Sequence, residues 1–127
     1  MERQGKSILV VDDQVGIRRL LYELFNSSGY NTHVAANGVE AVEKVKKESP
    51  NVVILDMKLP GMNGIEILQK LKDVSPQTKV VMMTAYGEKD TIQQALDLGA
   101  VCHFFKPFDV IELKQKISEI LEAYIAN

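Results

Sequence analysis

Residues 8–14 read ILVVDDQ: four apolar residues run without interruption into two adjacent carboxylates, Asp12 and Asp13. An unbroken apolar run of this length suits a parallel strand covered on both faces, because a half-exposed strand would alternate apolar with polar residues. The acids at its end are costly neighbours, since adjoining carboxylates raise each other's pKa and lose hydration on burial. Something close by must offset that cost. Related runs occur at 7–11 (SILVV, which contains the first), 51–55 (NVVIL), 79–83 (KVVMM) and 101–105 (VCHFF), with a weaker one at 31–35 (NTHVA).

Helical patterns fill the intervals. Ile17, Leu20, Leu21, Leu24 and Phe25 follow the spacing of one buried helical stripe, as do Ile65, Leu68 and Leu71, and Val110, Leu113, Ile117, Ile120, Leu121 and Tyr124. Three helix starts carry an Asx residue followed three positions later by glutamate: Asn37 with Glu40, Asn63 with Glu66, and Asp109 with Glu112. Each reads as a capping box. A fourth helix, roughly Lys89 to Asp97, has a thinner apolar face. Gly29, Gly38, Gly64, Gly87 and Gly99 fall at or near the element ends. Strand followed by helix, five times over, predicts an α/β fold with a doubly wound parallel sheet.

Bulk properties narrow the class. A chain of 127 residues with 46% hydrophobic and 25% charged residues is expected to form one domain over 1–127 that needs no disulfide or metal to hold its core. A net charge of -2 gives no basic excess for nucleic acid. The single cysteine, Cys102, cannot form an internal disulfide and points to a reducing compartment. No apolar run approaches the roughly 18 residues of a membrane span, and the polar MERQGKS is too short for a signal peptide, so a cytoplasmic protein is expected.

In doubly wound sheets ligands bind outside the carboxyl ends of the strands, where the strand order reverses. The first strand ends in Asp12 and Asp13, the third in Asp56, the fourth in Thr84, and the fifth in Lys106 just before Pro107. Singly, each has an ordinary reading: an Asp pair as a helix cap, Thr84 as a strand-end hydroxyl, Lys106 as a solvated surface charge. Together they converge on one edge. Three carboxylates make a hard oxygen site for a small divalent ion, best Mg²⁺, while Lys106 and Thr84 supply a cation and a hydroxyl donor. A carboxylate nucleophile in that company is equipped to form an aspartyl phosphate.

At this point VVDDQ, ILDMKLPGMNG, MMTAYG and FFKPF resemble, in order and spacing, the acidic pair, phosphoacceptor loop, hydroxyl position and lysine-proline motif of the receiver domain of two-component response regulators. DDQVGIR, DMKLPGMNGIEIL, MTAYGE and HFFKPFD are similar, closer still, to the single-domain response regulators of sporulation phosphorelays. The resemblance implies a flavodoxin-like fold with strand order 2-1-3-4-5, and Asp56 as the acceptor of a phosphoryl group from a histidine kinase. It implies Mg²⁺ held by Asp13, Asp56 and the main-chain carbonyl of Lys58, Asp12 acting through water, and Thr84 and Lys106 contacting the phosphoryl oxygens. It also implies a cis Lys106–Pro107 bond, where sequence alone favours trans. The implied partners are a sensor histidine kinase, a histidine phosphotransferase and a phosphatase. A monomer is expected, with no output domain because the sequence stops just after the fifth helix.

Several positions bear on how such a protein would work. Receivers often carry Tyr or Phe three residues before the lysine as a switch; here that position is His103, either a proton-sensitive variant or ordinary filler of aromatic space. Lys58 and Tyr86, two residues after Asp56 and Thr84, are expected to flank the phosphoryl group and hinder an attacking water, unless they are simply exposed loop residues. Gln14, Val15, Gly16, Ile17 and Leu20, with Pro107 and Phe108, would form an apolar rim around Asp56 for a partner, although Ile17 and Leu20 equally suit the core. The readings that result are a phosphorelay carrier or a diffusible regulator that docks when phosphorylated. An aspartate-based phosphatase fits less well, since it would place its nucleophile on the first strand and needs a cap segment.

Overall fold

The computed structural model describes residues 5–126, with side chains as far as Glu122; Tyr124 of the last apolar stripe lies outside the described side chains. The elements run β1 (Ser7–Val11), α1 (Val15–Ser27), β2 (Asn31–Ala35), α2 (Gly38–Glu48), β3 (Val52–Asp56), α3 (Gly64–Val74), β4 (Lys79–Thr84), α4 (Lys89–Asp97), β5 (Cys102–Phe105) and α5 (Val110–Ala126). All five strands are parallel, in the order β2-β1-β3-β4-β5. Against the sequence reading, β3 starts one residue later and takes in Asp56, β4 takes in Thr84, and β5 starts at Cys102.

The uninterrupted apolar runs are explained by two separate cores. Alternate strand residues Leu9, Val11, Val53, Leu55, Val80 and Met82 face α2, α3 and α4, where they meet Val45, Ile67, Leu68, Leu71 and Ala95. The intervening Ile8, Val10, Val52, Ile54, Val81 and Met83 face α1 and α5, where they meet Leu21, Phe25, Leu113 and Ile117. Burying each such aliphatic side chain contributes about 1.5–3 kcal/mol relative to leaving it exposed. Ile67, fully buried, belongs to the α3 stripe and breaks the spacing read for Ile65, Leu68 and Leu71; Ile65 itself is only partly buried. In α1, Leu21 and Phe25 are core while Leu20 is 45% exposed.

The helix starts follow the Asx signals with two adjustments. Asn37 accepts from the Glu40 N–H at 2.9 Å, but the Glu40 carboxylate reaches past the cap to the N–H of Ala36 at 2.7 Å. Asn63 accepts from Ile65 at 2.7 Å rather than from Glu66, the short reach of an Asx turn. Asp109 accepts from both Ile111 and Glu112, at 2.8 and 3.0 Å. No side-chain cap bond forms at the starts of α1 (Gln14) and α4 (Glu88). Gly64 is required by close approach: a Cβ there would sit 2.6 Å from the Met57 carbonyl oxygen. The Lys106–Pro107 bond is cis. Among the described residues no helix is long and apolar enough to cross a membrane.

Candidate functional site

The switch in strand order lies between β1 and β3, and their register ends with Val11 opposite Leu55. One step further along each strand brings Asp12 and Asp56 side by side at the carboxyl edge. Thr84 ends β4 opposite Phe105 of β5, so Lys106 follows at the same height. The five residues expected at the strand ends therefore share one edge, supplied by four strands.

Asp12 and Asp56 are 2% and 5% exposed, and burial at that level requires partners. Lys106 is that partner for both: its Nζ donates to Asp12 Oδ2 at 2.7 Å and to Asp56 Oδ2 at 3.2 Å. The remaining oxygens are also occupied. Asp12 Oδ1 accepts from the Gln14 N–H at 2.9 Å, and Asp56 Oδ1 accepts from the Lys58 N–H at 3.0 Å. Partial burial works against the Lys106 ammonium, but the bond to Asp12 and the charges of Asp56 and Asp12 outweigh it, leaving its pKa above the ordinary 10.5. Arg18, which the sequence reading did not single out, donates to the Asp12 carbonyl at 2.8 Å and ties the first turn of α1 to this corner.

Asp13 differs from its neighbour in that its carboxylate is exposed, and it has no hydrogen-bond partner among the described residues. One carboxylate oxygen from each of Asp12, Asp13 and Asp56 lies within 4.8 Å of the others. That donor set fits Mg²⁺, which takes a few hard oxygens and keeps several waters. Three acids against one lysine leave a charge deficit that a divalent ion would cancel, and Asp13 supplies a ligand not already committed to a protein donor.

Beside this cluster a cavity of about 460 Å³ opens between the β3–α3 and β4–α4 loops, lined by Met57, Leu59, Met62, Thr84, Glu88 and Thr91 among others. The Thr84 hydroxyl is buried against it with no hydrogen-bond partner among the described residues. A buried orphan donor costs about 1–3 kcal/mol and implies a ligand atom that satisfies it in some state.

Lys58 and Tyr86 sit where the sequence placed them in the chain, with contacts it did not anticipate. The Lys58 side chain spans the cavity mouth to Glu88, Nζ to Oε1 at 2.8 Å. Tyr86, 84% exposed, stacks face to face on Phe105, with ring centroids 4.3 Å apart and 18° between planes. His103 meets the same Phe105 edge-on at 5.1 Å, so the residue at the aromatic position is held by a ring contact rather than by an acid. Glu88 and Phe105 were missed: GEKD reads as an ordinary helix start, and the paired Phe before LysPro was the only hint of the ring stack.

The anticipated rim is divided. Gln14, Ile17, Leu20, Pro107 and Phe108 line one groove of about 420 Å³ together with Lys106. Val15, 57% exposed, faces a second groove with Arg18, Arg19 and Tyr22. Gly16 is exposed, and a Cβ there would meet nothing within 4 Å.

Comparison with known proteins agrees with this geometry. The family model described as response regulator receiver domain matches residues 8–118. Sporulation initiation phosphotransferase F of Bacillus subtilis is 53% identical over 117 residues, covering 92% of this chain and 94% of that one. Regulatory protein AtoC of Escherichia coli is 38% identical over 115 residues, 91% of this chain but 25% of the longer regulator. Among solved structures, a CheY-like response regulator receiver domain protein from Methanospirillum hungatei superposes with a TM-score of 0.88 at 33% identity, over 93% of this chain and 94% of that one.

Proposed function

This chain belongs to the response regulator receiver family, close to a sporulation initiation phosphotransferase, and from that premise we propose that it is a single-domain phosphorelay carrier working ahead of sporulation. It takes a phosphoryl group from a histidine kinase onto Asp56 and passes it to the histidine of a phosphotransferase.

In the forward step an Asp56 carboxylate oxygen attacks phosphorus. The new P–O bond forms as the P–N bond breaks, and the electron pair of that bond returns to the imidazole. Lys106, held at Asp56 Oδ2, meets the negative charge gathering on the phosphoryl oxygens, and the lone Thr84 hydroxyl donates to one of them. Asp13, Asp56 and the Lys58 carbonyl would hold Mg²⁺, which would supply charge neutralisation, and Asp12 would act through water. Lys58 and Tyr86 screen the acyl phosphate from water and lengthen its life. The groove of Ile17, Leu20, Pro107 and Phe108, opening beside Lys106, receives the helix that carries the partner's histidine. A phosphatase is a third partner for the same face.

The observation that carries the reading is the buried, partnerless Thr84 hydroxyl beside a carboxylate already clamped by a lysine: the fold keeps a donor for an oxygen it does not itself contain. The test is to mix the purified protein and Mg²⁺ with a phosphorylated histidine kinase. Label should appear on wild type and not on Asp56→Asn, and should move on to a histidine phosphotransferase. Equal labelling of Asp56→Asn would overturn the assignment. Label that stays on Asp56 in the presence of the phosphotransferase would favour a regulator that acts by docking.

A further inference from the structure

We infer that Glu88 is a positioning residue for Lys58, holding the lysine ammonium across the mouth of the cavity and so setting how long a phosphoryl group survives on Asp56. The inference rests on the reading of Asp56 as phosphoacceptor and names a residue outside the acidic cluster that governs that site.

The placement of Glu88 supports it. Glu88 occupies the N-cap position of α4, yet its side chain makes no cap bond. Asn37, Asn63 and Asp109 all spend their side chains on the amides of their own helices. The Glu88 carboxylate instead lies at the cavity, with Oε1 2.8 Å from Lys58 Nζ and Oε2 accepting a long 3.5 Å bond from Thr91. Gln14 likewise leaves the start of α1 without a side-chain cap, and at α4 what the Glu88 carboxylate holds instead is the Lys58 ammonium of another loop.

Lys58 has a competing destination. Its own N–H is bound to Asp56 Oδ1 at 3.0 Å, so its side chain starts from the rim of the site. The bond to Glu88 is the largest influence raising the Lys58 pKa, followed by the charge of Glu88, while the more distant Asp56 acts in the same direction. Phosphorylation replaces the single negative charge of the Asp56 carboxylate with close to two on the phosphoryl oxygens, a net gain of about one, and the balance shifts towards the site. Hydrolysis needs a water oxygen to bond to phosphorus while the P–Oδ bond breaks and its electron pair stays with the Asp56 carboxylate. An ammonium lying on the phosphoryl oxygens obstructs that approach; one held on Glu88 leaves it open. Because the Lys58 side chain is 63% exposed, the restraint is a weak, tunable one, not a lock.

The test is a double-mutant cycle on the lifetime of the label after transfer from the phosphorylated kinase, with wild type, Glu88→Gln, Lys58→Ala and the double variant. Releasing Lys58 in Glu88→Gln should lengthen the lifetime by about two- to fivefold, the range over which an exposed ion pair shifts an equilibrium. Lys58→Ala should shorten it, and adding Glu88→Gln to Lys58→Ala should change nothing further. A purely structural role for Glu88 would persist without Lys58. A second readout needs no phosphate: acylation of the Lys58 amine at mildly alkaline pH, followed by peptide mass spectrometry, should be faster in Glu88→Gln. An unaltered lifetime in Glu88→Gln, an effect that survives in the Lys58→Ala background, or unchanged acylation overturns the inference alone. Absence of label on wild-type Asp56 overturns the functional reading beneath it.

Discussion

Replacing Asp13 by Asn should make the metal-free protein more stable, not less. The three site carboxylates place oxygens within 4.8 Å of one another, and among the described residues Lys106 is the one cation in a salt bridge with any of them. Two unit charges at 4.8 Å repel by about 0.9 kcal/mol even at the dielectric constant of bulk water. Asp13 is exposed, which justifies the high dielectric, and it faces two such neighbours. Its neutralisation removes two such repulsions and one comparable attraction to Lys106, and so recovers about 1 kcal/mol at low salt, less as salt screens the charges. No hydrogen bond is lost among the described residues, since none is made by its carboxylate. In EDTA the urea midpoint of Asp13→Asn should rise by about 0.3–1 M, given a denaturant slope of about 1–3 kcal/mol per molar. With excess Mg²⁺ the order should reverse: wild type gains about 2.7 kcal/mol at one hundred times its dissociation constant, and the variant gains little. A variant that is neutral or destabilised in EDTA, or that gains as much from Mg²⁺ as wild type does, would refute both the repulsion and the ligand role.

Other perturbations test separate parts of the structure. Gly64→Ala should cost about 2 kcal/mol or more, because its Cβ would press on the Met57 carbonyl and Cα, which are backbone and cannot swing aside. Gly16→Ala, with open space around it, should be neutral or stabilising by up to about 1 kcal/mol; thermal melts decide both. Leu20→Ala, at a 45% exposed site, should shift the melting temperature little while slowing phosphotransfer, whereas the buried Leu21→Ala should cost about 2–5 kcal/mol. Equal destabilisation by the two would assign Leu20 to the core. Burial pushes the Cys102 thiol above its ordinary 9.0, only partly countered by Lys116. The folded state then keeps a proton that the unfolded chain has released, so stability should fall as pH rises past 9.0, and less so in Cys102→Ala. Iodoacetamide should modify the native thiol more slowly than the thiol in urea.

The parts of this fold that depend on one residue and its local run were readable from the chain. Continuous aliphatic segments such as 51–55 have few homes other than a strand covered on both faces, and the polar residues at their ends had to meet on one edge. Contacts between loops could not be read that way. Nothing in the spacing of Lys58 and Glu88 pairs them, because their meeting depends on how the β3–α3 and β4–α4 turns lean over the cavity. Tyr86 was expected to flank the phosphoryl group, and its stack on Phe105 depends on the register that sets Thr84 opposite Phe105. Ile67 was overlooked because a helix packed between a sheet and its neighbouring helices buries a wider arc than one stripe.

The functional edge has a consequence for what a signal carried by this protein would count. Asp12, Asp56, Thr84 and Lys106 come from four different strands, and the buried acids depend on a lysine 94 and 50 residues away along the chain. No fragment or half-folded copy brings them together, and a chain whose last strand has not docked lacks the cation that pairs with Asp56. Damaged or immature molecules would drop out of the tally without any separate inspection step, so the amount of phosphate carried would report the number of intact copies as well as the strength of the stimulus.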